Sequence, residues 1–119
     1  MGLGFRRPRW YAKVVGQLTG QYAVHDGVKL FHEGTNPLFT ASVQPPHPGT
    51  KHVRWVWQRR DGSAWTTILD QTLTVSESSR GFFLTGTVKG KTYRIRALWL
   101  GDGDHLASTS PWFAFRITA

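Results

Sequence analysis

The stretch Thr92-Tyr93-Arg94-Ile95-Arg96-Ala97-Leu98-Trp99-Leu100 decides the fold. Tyr93, Ile95, Ala97 and Trp99 fall on one parity, and Arg94 and Arg96 fall on the other. Successive side chains on a β-strand point to opposite faces, so this period of two predicts a half-buried strand with its arginines in solvent. No stretch of the chain shows the sustained three-and-four spacing that an amphipathic helix requires.

Working outward, the pattern repeats. Downstream, Gly101-Asp102-Gly103-Asp104 opens a loop, and Trp112 to Thr118 closes the chain as a strand with Phe113, Phe115 and Ile117 alternating. Upstream, a turn at Gly90 follows a strand predicted over Phe82 to Lys89. Before it come short strands at Leu73 to Val75, Trp65 to Leu69 and His52 to Arg59, the last two joined by an Asp61-Gly62 turn. Pro45, Pro46, Pro48 and Gly49 make a stiff loop after a strand at Leu38 to Gln44 that puts Phe39, Ala41 and Val43 on one face. Segments at Tyr22 to Val24 and Val28 to Phe31 flank the Asp26-Gly27 turn, and Trp10 to Val15 reads as the first strand. Residues 1–9 read as a flexible arm and residues 10–119 as one domain. Seven to nine short strands with evenly spaced turns predict an all-β sandwich or barrel.

Composition sets bounds on function. The 119 residues suffice for one core. Fifteen Lys and Arg against seven Asp and Glu give a net charge of +8, which attracts polyanions and acidic surfaces. The chain has no cysteine, which excludes disulfides, thiol catalysis and cysteine-based zinc sites. Its apolar runs are too short for a transmembrane helix. Met1 to Trp10 contains arginines but no following apolar core, so it does not read as a signal peptide. The expectation is a domain of a longer chain or a protein that needs no such export, such as a phage structural protein.

The segment Gly90-Lys91-Thr92-Tyr93-Arg94-Ile95-Arg96-Ala97 resembles the sixth strand of immunoglobulin-like domains, with Tyr93 at the tyrosine-corner position and Ile95 in place of the second core cysteine. Trp55 or Trp57 fits the tryptophan expected on the third strand, and Ala41 stands near the missing first cysteine. Over residues 38–119, "WVWQRRDGSAW" and "YRIRALWLGDGDHLASTSPWFAFRIT" are similar to cysteine-free immunoglobulin-like or fibronectin-III-like domains of secreted actinobacterial proteins. The resemblance implies an antiparallel β-sandwich. It also implies a non-enzymatic, extracellular or cell-surface module for adhesion, spacing or protein binding, with the phage particle as the alternative location.

Within that frame, Arg54, Arg94, Arg96 and Arg116 share one solvent face, with Arg59 and Arg60 at its edge. All seven acids fall in predicted loops or at strand ends, which leaves that face basic. The guanidinium fork suits carboxylate and phosphate, so the expected partner is an acidic protein or an anionic surface polymer. Trp10, Trp65, Trp99 and Trp112 are candidates for partial exposure, where indole rings stack on sugars; a glycan is the alternative ligand. Specific nucleic-acid recognition lacks a reading helix or an RNP-like motif. Asp102 and Asp104 fit an ordinary turn better than a calcium loop, because the ligand pattern and its terminal glutamate are absent. His25, His32, His47, His52 and His105 form no metal pair, and the serines lie in loops without a nucleophile elbow. The sequence therefore predicts no cofactor, no metal and no catalytic residue.

Overall fold

A computed structural model describes residues 13–44, 50–76, 79–101 and 106–119. They form strands β1 (Lys13–Thr19), β2 (Ala23–His25), β3 (Val28–His32), β4 (Leu38–Gln44), β5 (Thr50–Asp61), β6 (Ala64–Ser76), β7 (Ser79–Phe83), β8 (Thr92–Trp99), β9 (Ser108–Thr109) and β10 (Phe113–Thr118). No helix occurs among the described residues, so none is long and apolar enough to cross a membrane.

Two sheets pack in a sandwich-like arrangement. One has the order β1-β4-β7, and the other runs β2-β3-β10-β8-β5-β6, with β9 against β8. All pairings are antiparallel except β3 with β10, which is parallel. Alternation dictates the core. Val14 and Leu18 of β1, Phe39, Ala41 and Val43 of β4, and Tyr93, Ile95, Ala97 and Trp99 of β8 are all buried. They meet Val53, Trp55 and Trp57 of β5 and Phe115 and Ile117 of β10. Phe39 meets Trp55 edge-on at 5.4 Å, and Tyr93 stacks on Phe115 at 5.2 Å. Such pairs contribute about 0.5–1.5 kcal/mol each beyond the area they bury. Trp55 and Trp57 are both inside, with Trp57 nearer the edge, as their shared parity with Val53 requires.

Several boundaries differ from expectation. Ten strands form among the described residues where seven to nine are expected, partly because the two-residue β9 carries no periodic signal. β1 continues past Val15 to Thr19, since Gly16 and Leu18 keep the alternation going; Trp10 lies outside the described residues. The segments around Trp65 and Leu73 are one strand of 13 residues. A bulge between Trp57 and Gln58 of β5, opposite Ile68, shifts the period and makes one strand read as two. The strand expected to reach Lys89 stops at Phe83, because Gly86 turns the chain with φ 76° and Val88 lies in solvent.

Two loop serines, read as ordinary in the sequence, fasten the last strand. Ser110 is buried; its Oγ accepts the Ala97 N–H at 3.0 Å and donates to the Pro111 carbonyl at 3.0 Å. The Ser108 Oγ accepts the Val14 N–H at 3.1 Å, which ties one sheet to the other.

Candidate binding face

Each member of the site is set by strand register. β8 pairs with β5 so that Arg94 stands opposite Gln58 and Arg96 opposite Val56. On the far side, β10 places Ala114 opposite Arg94 and Arg116 opposite Thr92. β6 leaves the Asp61-Gly62 turn with Trp65 opposite Arg60. These residues all lie on the side of the sheet turned away from the core.

On that side a ladder forms. The Arg94 guanidinium carbon lies 4.2 Å from the centre of the Trp65 ring and 4.1 Å from that of Trp112. The Arg96 guanidinium lies 4.2 Å from the same Trp112 ring. Alternate residues on a strand stand about 6.5–7 Å apart. That spacing fits one guanidinium on each face of the Trp112 indole, in the order Trp65, Arg94, Trp112, Arg96. Gln58 fixes the ladder from the side: its Oε1 accepts Arg94 Nε at 2.7 Å, and its Nε2 donates to Thr67 Oγ1 at 3.2 Å. Each cation–π contact contributes about 0.5–2 kcal/mol, depending on desolvation. Burial, and then the neighbouring Arg96 charge, lower the Arg94 pKa, but a guanidinium stays charged throughout the physiological range.

The remaining arginines divide into two kinds. Arg54 is on the expected face but forms a two-pronged pair with Asp70, at 2.7 and 2.6 Å. Asp70 lies inside β6, which corrects the expectation that every acid sits in a loop or at a strand end. The pair holds the Asp70 carboxyl below its usual range, first through the hydrogen bond and then through charge. Arg59 stands opposite Tyr93, a core residue, and so projects from the other side of the sheet. It binds Asp61 at 3.0 Å, with Lys91 at 3.6 Å from the same carboxylate. Arg60 and Arg116 are exposed on the ladder side and donate, among the described residues, to the Gly62 carbonyl and the Thr92 hydroxyl. Among the described residues, Arg60, Arg94, Arg96 and Arg116 have no carboxylate partner.

The tryptophans also divide. Trp65 and Trp112 are half-buried in the ladder, whereas Trp99 is 1% exposed and belongs to the core, as its parity with Tyr93 demands. His47, His105, Asp102 and Asp104 lie outside the described residues. The sequence reads the basic residues and the indoles as two separate surfaces, and register joins Arg94 and Arg96 with Trp65 and Trp112 in one. That reading misses Gln58, although Gln58 shares the parity of Arg54 within β5, and it misses Asp70, whose place beside Arg54 is visible only once β6 is aligned on β5.

No protein-family model matches the chain, and a search of curated proteins finds no significant relative.

Proposed function

We propose that this chain is a non-catalytic immunoglobulin-like or fibronectin-III-like module of a secreted or cell-surface bacterial protein, and that it holds an acidic partner protein on its ladder face. The fold reading is supported by the order β10-β8-β5-β6 opposite β1-β4-β7. It is also supported by Tyr93, whose hydroxyl accepts the Val88 N–H at 2.9 Å, the bond expected of a tyrosine corner.

One observation carries the binding reading. Arg94 and Arg96 keep their charge without a carboxylate among the described residues, and they are clamped by indole rings beside exposed Arg60 and Arg116. A clamped guanidinium loses little rotamer freedom on binding, so its contact with a carboxylate retains more of its free energy. The glycan reading is weakened by the same geometry, because the Trp112 ring that would face a sugar is already occupied by Arg94 and Arg96.

The test presents the immobilised chain, at physiological salt, with surface extract of its source organism. The expected result is retention of an acidic protein by the native chain and its loss from a variant carrying Arg60→Glu and Arg116→Glu. Both side chains are exposed and outside the ladder contacts, so the fold is retained. Equal retention by the variant removes this face from the function.

A further inference from the structure

We propose a second site on this molecule: the open side between β6 and β7 receives an extended acidic segment of a partner protein as an added strand. β6 ends one sheet and β7 ends the other, and no described strand pairs with the free edge of either. Between them lies a groove of about 410 Å³, walled by Trp57, Leu69, Leu73 and Phe82, with Gln71 and Arg80 as polar members. Leu69, Gln71 and Leu73 recur at every second position, which matches the alternate side chains that a docked strand presents.

The β6 edge has hydrogen-bonding capacity to offer. Arg80 Nη1 donates to the Thr74 carbonyl at 3.1 Å, which marks that carbonyl as directed to the free edge. In an antiparallel pair, alternate residues direct both backbone groups to the same side, so Thr72 and Asp70 turn theirs outward too. An unpaired edge of this length is a template for strand addition.

Charge selects the occupant. Arg80 stands opposite Ala41, a core residue, so it enters the space between the sheets from an exposed position. Among the described residues its hydrogen-bond partner is the Thr74 carbonyl, and it has no carboxylate partner. A charge aimed inward at a sheet edge, together with the nearby bulge, discourages pairing with another copy. The net charge of +8 opposes a second copy as well. An extended segment with apolar residues at alternate positions and a carboxylate at the Arg80 end reverses both penalties.

The experiment selects a random display library of peptides of about eight residues, an ordinary strand length, on the native chain. The expected outcome is enrichment of peptides that alternate apolar residues and carry an acidic one. A synthetic enriched peptide then loses about tenfold or more in affinity with Arg80→Glu, the loss expected for a charge-assisted hydrogen bond. Thr72→Pro gives a similar loss, because its missing N–H faces the open edge and the pairing with β5 survives. The Arg60→Glu, Arg116→Glu variant binds the peptide normally, which separates this site from the ladder face. Failure to enrich any peptide over the Thr72→Pro control overturns the proposal. So does binding of the enriched peptide by the Arg80→Glu and Thr72→Pro variants that is as tight as binding by the native chain. A dimer of the native chain that Thr72→Pro abolishes would also overturn it, by giving the edge to a second copy.

Discussion

Arg94 carries its guanidinium 4.1 Å over the centre of the Trp112 ring, so this cation of the outer face and its half-buried indole form one unit. Because Arg96 lies on the same ring, removing Trp112 strips two contacts at once. Trp112→Ala is expected to lower stability by about 2–4 kcal/mol, the sum of two cation–π contacts and lost ring burial. A double-mutant cycle between Arg94 and Trp112, read by urea denaturation, should give a coupling of about 0.5–2 kcal/mol. Coupling near zero would show the stack to be energetically idle.

Tyr93→Phe keeps the buried ring and removes only the hydroxyl that accepts the Val88 N–H. Val88 is exposed, so water replaces part of the lost bond. The expected cost is about 1 kcal/mol, at the middle of the range for a neutral hydrogen bond. Hydrogen exchange gives the sharper readout: the Val88 amide should lose protection while the β8 amides keep theirs. Unchanged exchange at Val88 would mean that the bond does not hold this turn.

Asp61 ties stability to acid. Its pKa falls from 3.8 to about 2, through hydrogen bonds from Arg59 and Thr66 and then the charges of Arg59 and Lys91. A carboxyl depressed in the folded state stabilises it fully above the ordinary value, and the contribution fades as pH drops towards the folded value. The urea midpoint should therefore decline between about pH 4 and pH 2, and Asp61→Asn should flatten that decline. Added salt should shrink the effect, because the Asp61 side chain is 35% exposed. Asp70, also lowered, contributes in the same direction.

Gly16 faces the core of β1 between two phenylalanines. A methyl group there would meet Phe113 Cε2 at 2.7 Å and Phe39 Cζ at 2.9 Å. Phe39 is fully buried and packed against Trp55, so it has little room to withdraw. Gly16→Ala is expected to cost about 1–3 kcal/mol by overpacking, measured as a lower thermal midpoint. A neutral or stabilising result would show that the ring pair can shift as a body.

Much of this fold can be read from parity alone. Tyr93, Ile95, Ala97 and Trp99 had to share a face, and the same rule turned Arg94 and Arg96 outward. What parity cannot supply is register. The Trp65–Arg94–Trp112 stack depends on how β6 and the start of β10 slide against their neighbours, and no local pattern encodes that. Asp70 shows the same limit. Beside Gln71 it resembles a break between two short strands, and only its place opposite Val56, one row from Arg54, makes it a strand residue with a partner. Arg59 failed for a simpler reason: its parity with Val53, Trp55 and Trp57 sends it to the core side, where Asp61 holds it.

The parallel pairing of β3 with β10 has a consequence for synthesis. The Thr118 hydroxyl and the Phe31 carbonyl are 87 positions apart in sequence yet 3.5 Å apart in space. A ribosome delivers β3 long before β10 exists, so Phe31, fully buried in the finished domain, emerges without its shelter. The β2–β3 hairpin waits until β10 has been made, and only then does the large sheet close. Such distant pairing slows folding and lengthens the interval in which an apolar hairpin is open to chaperones or to a neighbouring nascent chain.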